Sequence, residues 1–324
     1  MTKEYIEKLQ SIVDIGDRIG ALVFFAMRSN NGIVLKKANI VNDVLRGIAS
    51  DYRDSLESEL NRFESDDNMV VLNLSNMDDR TNVVYRYDIS DEHPAYFDIM
   101  REPVSDPPIE YVEDKMFNFD SDSFSKIAYF IVLLGTEENH VVIYRDNFNV
   151  NLMRQGHGRF YLNKSGTQIS KVENDILRMD SQIDCILIDN KFYILNLKKL
   201  DVCNDFLSIV RKRANSAIDK IENLKLIDNA DDLRNRLDDS IFARRLMCAV
   251  QNSPVTELPQ NDVVTFVKHH KALSTFIPIK EGKLVLKTKR SQDAFVNLLN
   301  DNYLCSKLTN IDYKSSAKGV VEVE

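Results

Sequence analysis

The dominant period of this chain's hydrophobic pattern changes near Asp201. Before that point, outside two helical stretches, apolar residues fall in short runs separated by turn sequences, as strands require. After it they recur at three- and four-residue steps, as on helices packed by one face. The segment ALVFFAMRSNNGIVLKKANIV (21–41) sets two apolar runs about Ser29-Asn30-Asn31-Gly32, whose Asn-Gly step suits the positive φ of a tight hairpin turn. KIAYFIVLLGTEENHVVIYR (126–145) reads as a second hairpin, and DCILIDNKFYILNLKK (184–199) as a third, hinged on Asp189, Asn190 and Lys191. MVVLNL (69–74) and VVYRYDI (83–89) add strands. Residues 2–12 form a short helix, and Val41, Val44, Leu45, Ile48, Tyr52, Leu56, Leu60 and Phe63 make one long helical stripe. Four of the seven prolines, Pro94, Pro103, Pro107 and Pro108, fall in the acidic stretch 91–123, which reads as a loop or linker.

Beyond Asp201, Phe206, Ile209, Val210, Ala217, Ile218, Ile221 and Leu224 form a stripe, and Leu233, Leu237, Ile241, Leu246 and Val250 form another. DVVTFVKHH (262–270) reads as a third helix, followed by a hairpin in LSTFIPIKEGKLVLKT (273–288) and a helix over 291–304. The expected class is α+β: a mostly antiparallel, sheet-centred part over 1–200 and a mainly helical, basic part with a terminal hairpin over 201–324. A chain of 324 residues exceeds what one core usually organises, which agrees with two domains.

Charge divides nearby, at residue 189. Residues 1–189 hold 20 Lys+Arg against 33 Asp+Glu, a balance of −13, and the remainder holds 22 against 17, a balance of +5. Such asymmetry suits one half to an anionic partner and the other to something else, although oppositely charged halves also attract each other. No run approaches the roughly 20 apolar residues of a membrane-spanning helix. The start, MTKEYIEKLQSIVDIGDRIG, lacks the apolar stretch of a secretory signal, so the expected location is cytoplasmic. Cys185, Cys203, Cys248 and Cys305 stand singly, as reduced core thiols do, and suggest neither disulfides nor zinc.

The hairpin at 184–199 carries the sharpest chemical question. A common nuclease core places an Asp near the end of one strand and a carboxylate-x-Lys triplet on the next, and here Asp184 precedes Asn196-Leu197-Lys198. Period two would put Asn196 and Lys198 on one strand face. Hard divalent cations need anionic oxygen ligands, however, and Asn196 leaves a single carboxylate. A metal-dependent nuclease would therefore have to join Asp184 with another acid, such as Glu173 or Asp189, with Lys198 stabilising developing charge. A buried hairpin with polar ends gives the same pattern without chemistry.

Other chemistries find little support. Glycine spacing matches no phosphate-cradling loop, and no cofactor is expected. His93, His140, His157, His269 and His270 lack metal-site spacing, and Gly156-His157-Gly158 reads as a tight turn. Basic residues cluster instead: Arg211, Lys212 and Arg213; Arg244 and Arg245; Lys268 and Lys271; Lys287, Lys289 and Arg290. Neutralising even a few phosphates gives affinity without sequence preference, so these are the candidate DNA contacts, with Lys36, Lys37 and 154–164 in reserve. Solvated helix faces carry such runs as well, and Asp205, Asp219 and Glu222 lie near enough in sequence to pair with them.

LLNDNYLCSKLTNIDYKSSAKGVVE (298–322), taken with IDCILIDNKFYILNLKKLDVCNDF (183–206), resembles the KwaB-like proteins of the Kiwa anti-phage defence system. The distinctive parts are the lead at Leu298 to Asp301, Ser306 to Thr309, Tyr313 with Lys318, and an Asp before a hairpin that leads to an acidic-aromatic patch. The likeness spans roughly 120–320, with Asp205-Phe206 where the family pattern has Glu-Phe. It implies a defence effector that binds duplex DNA and works beside a membrane-embedded partner protein. No catalytic residue carries over. A homo-oligomer, as a dimer, at the inner face of the membrane is the matching expectation. A metal-dependent nuclease and a non-catalytic adaptor are the other two classes.

Overall fold

The computed structural model describes residues 1–30, 32–76, 82–89, 92–105, 115–147 and 176–315, together with the backbone of 152–153, 162–165 and 168–171. In chain order the first elements are α1 (Thr2–Val13), β1 (Gly20–Ser29), β2 (Gly32–Lys37), α2 (Asn42–Ser65), β3 (Val70–Asn73), β4 (Val83–Arg86), α3 (Ala95–Arg101), β5 (Ile127–Gly135) and β6 (His140–Asp146). Two short pairs follow, β7 (Leu152–Met153) with β10 (Ile176–Leu177) and β8 (Leu162–Ser165) with β9 (Gln168–Lys171). Then come β11 (Cys185–Ile188), β12 (Lys191–Ile194), α4 (Leu197–Asp201), α5 (Asn204–Asn223), α6 (Asp231–Arg234), α7 (Ser240–Asn252), α8 (Gln260–His269) and α9 (Lys271–Phe276). The last are β13 (Ile279–Lys280), β14 (Lys283–Leu284), α10 (Lys289–Leu299), β15 (Tyr303–Cys305) and β16 (Asp312–Lys314). The class is α+β, as the change of period implies.

Two compact units result, Met1–Met69 with Ala95–Asn196 and Val70–Pro94 with Leu197–Glu324. In the first, six strands of the main sheet run in the order β2-β1-β5-β6-β11-β12, and each neighbouring pair is antiparallel. Three tight turns set this order. β1 and β2 close at Ser29↔Gly32, and β11 and β12 close through Asp189 and Asn190, whose φ of 44° and 66° are the left-handed pair such a turn needs. Between β5 and β6, Gly135 sits at φ +135°, and a Cβ there would lie 2.2 Å from the Asn139 carbonyl oxygen, so the turn requires glycine. Tyr5, Leu9 and Ile12 of α1 and Tyr52, Leu56 and Leu60 of α2 are buried, whereas Val41 and Val44, which the sequence stripe includes, are exposed.

The stretch 91–123 is not loop throughout. Ala95–Arg101 is helical directly after Pro94, and Phe97 stacks on Phe192 of β12 with ring centroids 3.7 Å apart. Proline is compatible with a helix start because the first N–H groups of a helix have no intrahelical partner.

The second unit contains a departure from the antiparallel expectation: β3 and β4 are parallel. Their segment belongs with the later helices, for Cys248 and Asn252 of α7 donate to the carbonyls of Leu74 and Ser75. α5 packs along α7. The second helical stripe is broken into α6 and α7, because Asp239 caps a new start by accepting from the Phe242 N–H. The hairpin expected over 273–288 shrinks to β13 and β14, since residues 271–276 form α9.

Candidate functional site

Asp184 stands immediately before β11 and is 2 % exposed. Its Oδ1 accepts from Asn196 Nδ2 at 2.7 Å, and its Oδ2 accepts from Arg145 Nη1 at 3.0 Å and from the Asp146 N–H at 2.9 Å. Arg145, next to last in β6 and 4 % exposed, also donates to both oxygens of Asp180 at 2.8 and 3.0 Å and to Gln182 Oε1 at 2.8 Å. Burial alone would lower the Arg145 pKa, but hydrogen bonding by Asp180 and the charges of both aspartates raise it. Likewise burial pushes the Asp180 carboxyl up, and Arg145 overrides this and holds it below the usual range.

The hairpin thus brings Asp184 and Asn196 together, as strand spacing suggests, but as the two ends of a hydrogen bond. A cation at Asp184 would have to displace Arg145 or Asn196. Lys198 is not on a strand: β12 ends at Ile194, and Lys198 lies exposed in the first turn of α4. The period-two argument fails there because the chain leaves the sheet four residues earlier, after Ile194. Asp189 occupies the turn, 3.7 Å from Lys8 Nζ. Glu173, His157, Lys318 and 154–161 lie outside the described residues.

A cavity of about 380 Å³ adjoins this knot, with Ser55, Ser58, Glu59, Arg62, Ser181 and Asn196 among its walls. Burial raises the Glu59 pKa, and Arg62, donating at 2.6 Å, only partly offsets it. Among the described residues no group of three or more His, Cys, Asp or Glu side chains is placed to hold a metal ion.

The basic residues separate into two sets. Arg244 is 2 % exposed and gives a two-pronged ion pair to Asp201 at 2.6 and 2.9 Å, so it presents no charge to a surface ligand. Arg245 is half-buried and donates to Asn297 Oδ1 at 3.0 Å. Arg211 pairs with Asp238 at 3.1 Å, and Lys212 and Arg213 both face Glu92, whose carboxyl they hold below its ordinary pKa. These partners are not the sequence neighbours: Asp219 and Glu222 bind Arg234 instead. By contrast Lys268, Lys271, Lys287, Lys289 and Arg290 are exposed, and among the described residues none of the five has an ion pair; Arg290 lies over the Phe276 ring, 4.7 Å from its centroid. Lys289 and Arg290 open α10, where the N-terminal dipole adds to their positive potential.

Sequence spacing missed Arg145, Asp180 and Gln182. The available signal was a charged residue in the apolar strand HVVIYRD. It also passed over His270, which is 4 % exposed and, among the described residues, has no hydrogen-bond partner on either ring nitrogen.

Fold and site together define an α+β protein with an arginine-locked carboxylate at a sheet hairpin and, in its helical part, surface cations that are unpaired among the described residues. The chain belongs to the family described as Kiwa protein KwaB-like, whose model matches residues 124–309. Over 322 residues, 98 % of each chain, it is 28 % identical to Kiwa protein KwaB of Escherichia coli O55:H7 (strain RM12579 / EPEC). Membership supports a component of Kiwa anti-phage defence. No solved structure matches the chain. Among the described residues no helix is long and apolar enough to cross a membrane.

Proposed function

We propose that this protein is a defence effector that holds duplex DNA without reading its sequence and does not cut it. The observation that carries this reading is the set of exposed cations that have no ion pair among the described residues, Lys268, Lys271, Lys287, Lys289 and Arg290. Phosphates are their natural counter-ions, and phosphate contacts position a duplex without specifying bases. The locked state of Asp184 supports binding over cleavage, because a metal-activated water needs carboxylate oxygens that are free to coordinate.

The protein works with a membrane-embedded partner of the same defence system, at the inner face of the membrane, and self-associates as a dimer. Family membership and the acidic balance of residues 1–189 support this part. It is wrong if the protein sediments as a monomer at all concentrations and no membrane protein encoded beside it co-purifies.

Incubation with duplex DNA and Mg²⁺ or Mn²⁺, read by gel shift and by product length, separates the classes. A shift without shortening is the expected result. Cleavage abolished by Asp184→Ala would establish a nuclease, and neither shift nor cleavage would leave an adaptor.

A further inference from the structure

Where α8 meets α9, His270 closes one wall of a cavity of about 370 Å³ whose other walls include Lys271, Tyr303, Asp312, Tyr313 and Lys314. The volume falls in the range of small-molecule sites, roughly 300–1,000 Å³. The His270 ring lies edge-on to Tyr303 at 5.1 Å and tilted to Phe266 at 5.5 Å. Both its nitrogens are buried and have no hydrogen-bond partner among the described residues, and Nε2 stands 4.0 Å from Asp312 Oδ1, beyond hydrogen-bond reach. Buried polar groups are normally met by protein, water or ligand. The other Asp312 oxygen accepts from the Lys271 N–H at 3.2 Å, which fixes the carboxylate at the cavity.

We infer that this cavity takes one unpaired nucleotide of bound DNA. Its contents select among ligands. A bare phosphate suits Lys271 and Lys314 but is repelled by Asp312. An uncharged ring suits the aromatic walls and leaves both lysines unused. A nucleotide answers all three. Its base presents N–H donors to a carboxylate, as cytosine does through N4. Its face stacks on an aromatic side chain, for which the half-exposed Tyr313 is available. Its phosphate meets the ammonium groups. In an intact duplex the base is stacked and paired, so the ligand is a nucleotide at an overhang or a frayed end.

The inference rests on the DNA-binding reading, and its test keeps the two apart. Fluorescence anisotropy compares one duplex made blunt and made with a short single-stranded overhang, for the wild type and for Tyr313→Ala, an exposed position on β16. Saturation-transfer NMR with dCMP reads the cavity without duplex. The wild type binds the overhang probe about tenfold tighter, the equivalent of one stacked base. Tyr313→Ala loses that preference and the dCMP signal while blunt-duplex affinity holds. Equal binding of the two probes by the wild type, or a preference that survives Tyr313→Ala, overturns the inference. If neither probe binds, the DNA reading fails, and dCMP decides the cavity alone: a signal lost in Tyr313→Ala upholds a nucleotide site, and no signal removes it.

Discussion

Replacing Asp184 by alanine removes an acceptor from three donors at once: Arg145 Nη1, the Asp146 N–H and Asn196 Nδ2. Asn196 is half-buried and can turn to water, but Arg145 cannot, although it keeps both oxygens of Asp180. Breaking a buried ion pair costs about 3–5 kcal/mol, and each buried donor left unmet costs about 1–3 kcal/mol. The retained Asp180 contacts bring the expectation to about 3–5 kcal/mol in total, a large share of the roughly 5–15 kcal/mol typical of folded domains. With a urea slope of about 2 kcal/mol/M the midpoint falls by roughly 1.5–2.5 M. The chain has no tryptophan, so far-UV circular dichroism is the readout. Asp180→Ala should cost less, since Asp180 is partly exposed and water can replace it. A loss below about 1 kcal/mol for Asp184→Ala, or a gain, would refute the reasoning, because carboxylates kept for function rather than stability tend to be carried at a stability cost.

Glu59 titrates above the ordinary 4.5 because it is buried, with Arg62 as partial compensation. A folded pKa raised in this way contributes stability below the unfolded value and loses it as pH rises through the folded value, so ionised Glu59 is a burden at neutrality. Glu59→Gln should therefore raise the urea midpoint at pH 7, with the gain shrinking toward pH 4; an equal or lower midpoint at pH 7 would contradict this. The thiols should separate in alkylation kinetics. Cys305 is exposed and labels first, and its rate climbs at higher pH than for a free thiol because local desolvation and the neighbouring Asp312 carboxylate raise its pKa. Cys248, pushed up to about 12 by burial, stays unlabelled until the protein unfolds. Peptide mapping of the alkylated chain checks both, and early labelling of Cys248 would show its helix to be open.

Local patterns were legible and nonlocal partners were not. The hairpins announced themselves through Asn31-Gly32 and Asp189-Asn190, because a tight turn is decided by the residues that form it. The stripes gave α1, α2, α5 and α8 for the same reason. The parallel pairing of β3 with β4 has no such signal, since the two strands are brought together by what packs on them. Of the site, the sequence offered Asp184 and Asn196 as neighbours but not Arg145, which comes from a strand 39 residues away. Charge runs identified where cations are dense. They could not show that Arg244 is consumed by Asp201 or that Glu92 holds Lys212 and Arg213, because ion-pair partners are chosen by the fold. Cysteine spacing excluded metal motifs, yet of the expected core thiols Cys185 and Cys248 are buried, Cys203 is half-buried and Cys305 lies on the surface.

The central claim is that DNA sits on the unpaired cations and not on the paired ones. It is tested most directly by the slope of log affinity against log salt. Each phosphate contact contributes about 0.9 to that slope, so Lys287→Ala/Lys289→Ala should flatten it by about 2, alike on unrelated duplexes. Arg211→Ala/Arg213→Ala, whose cations are already held by Asp238 and Glu92, should leave it nearly unchanged. An unaltered slope in the lysine variant, with its fold intact, or a flattening confined to the arginine variant, would contradict the account.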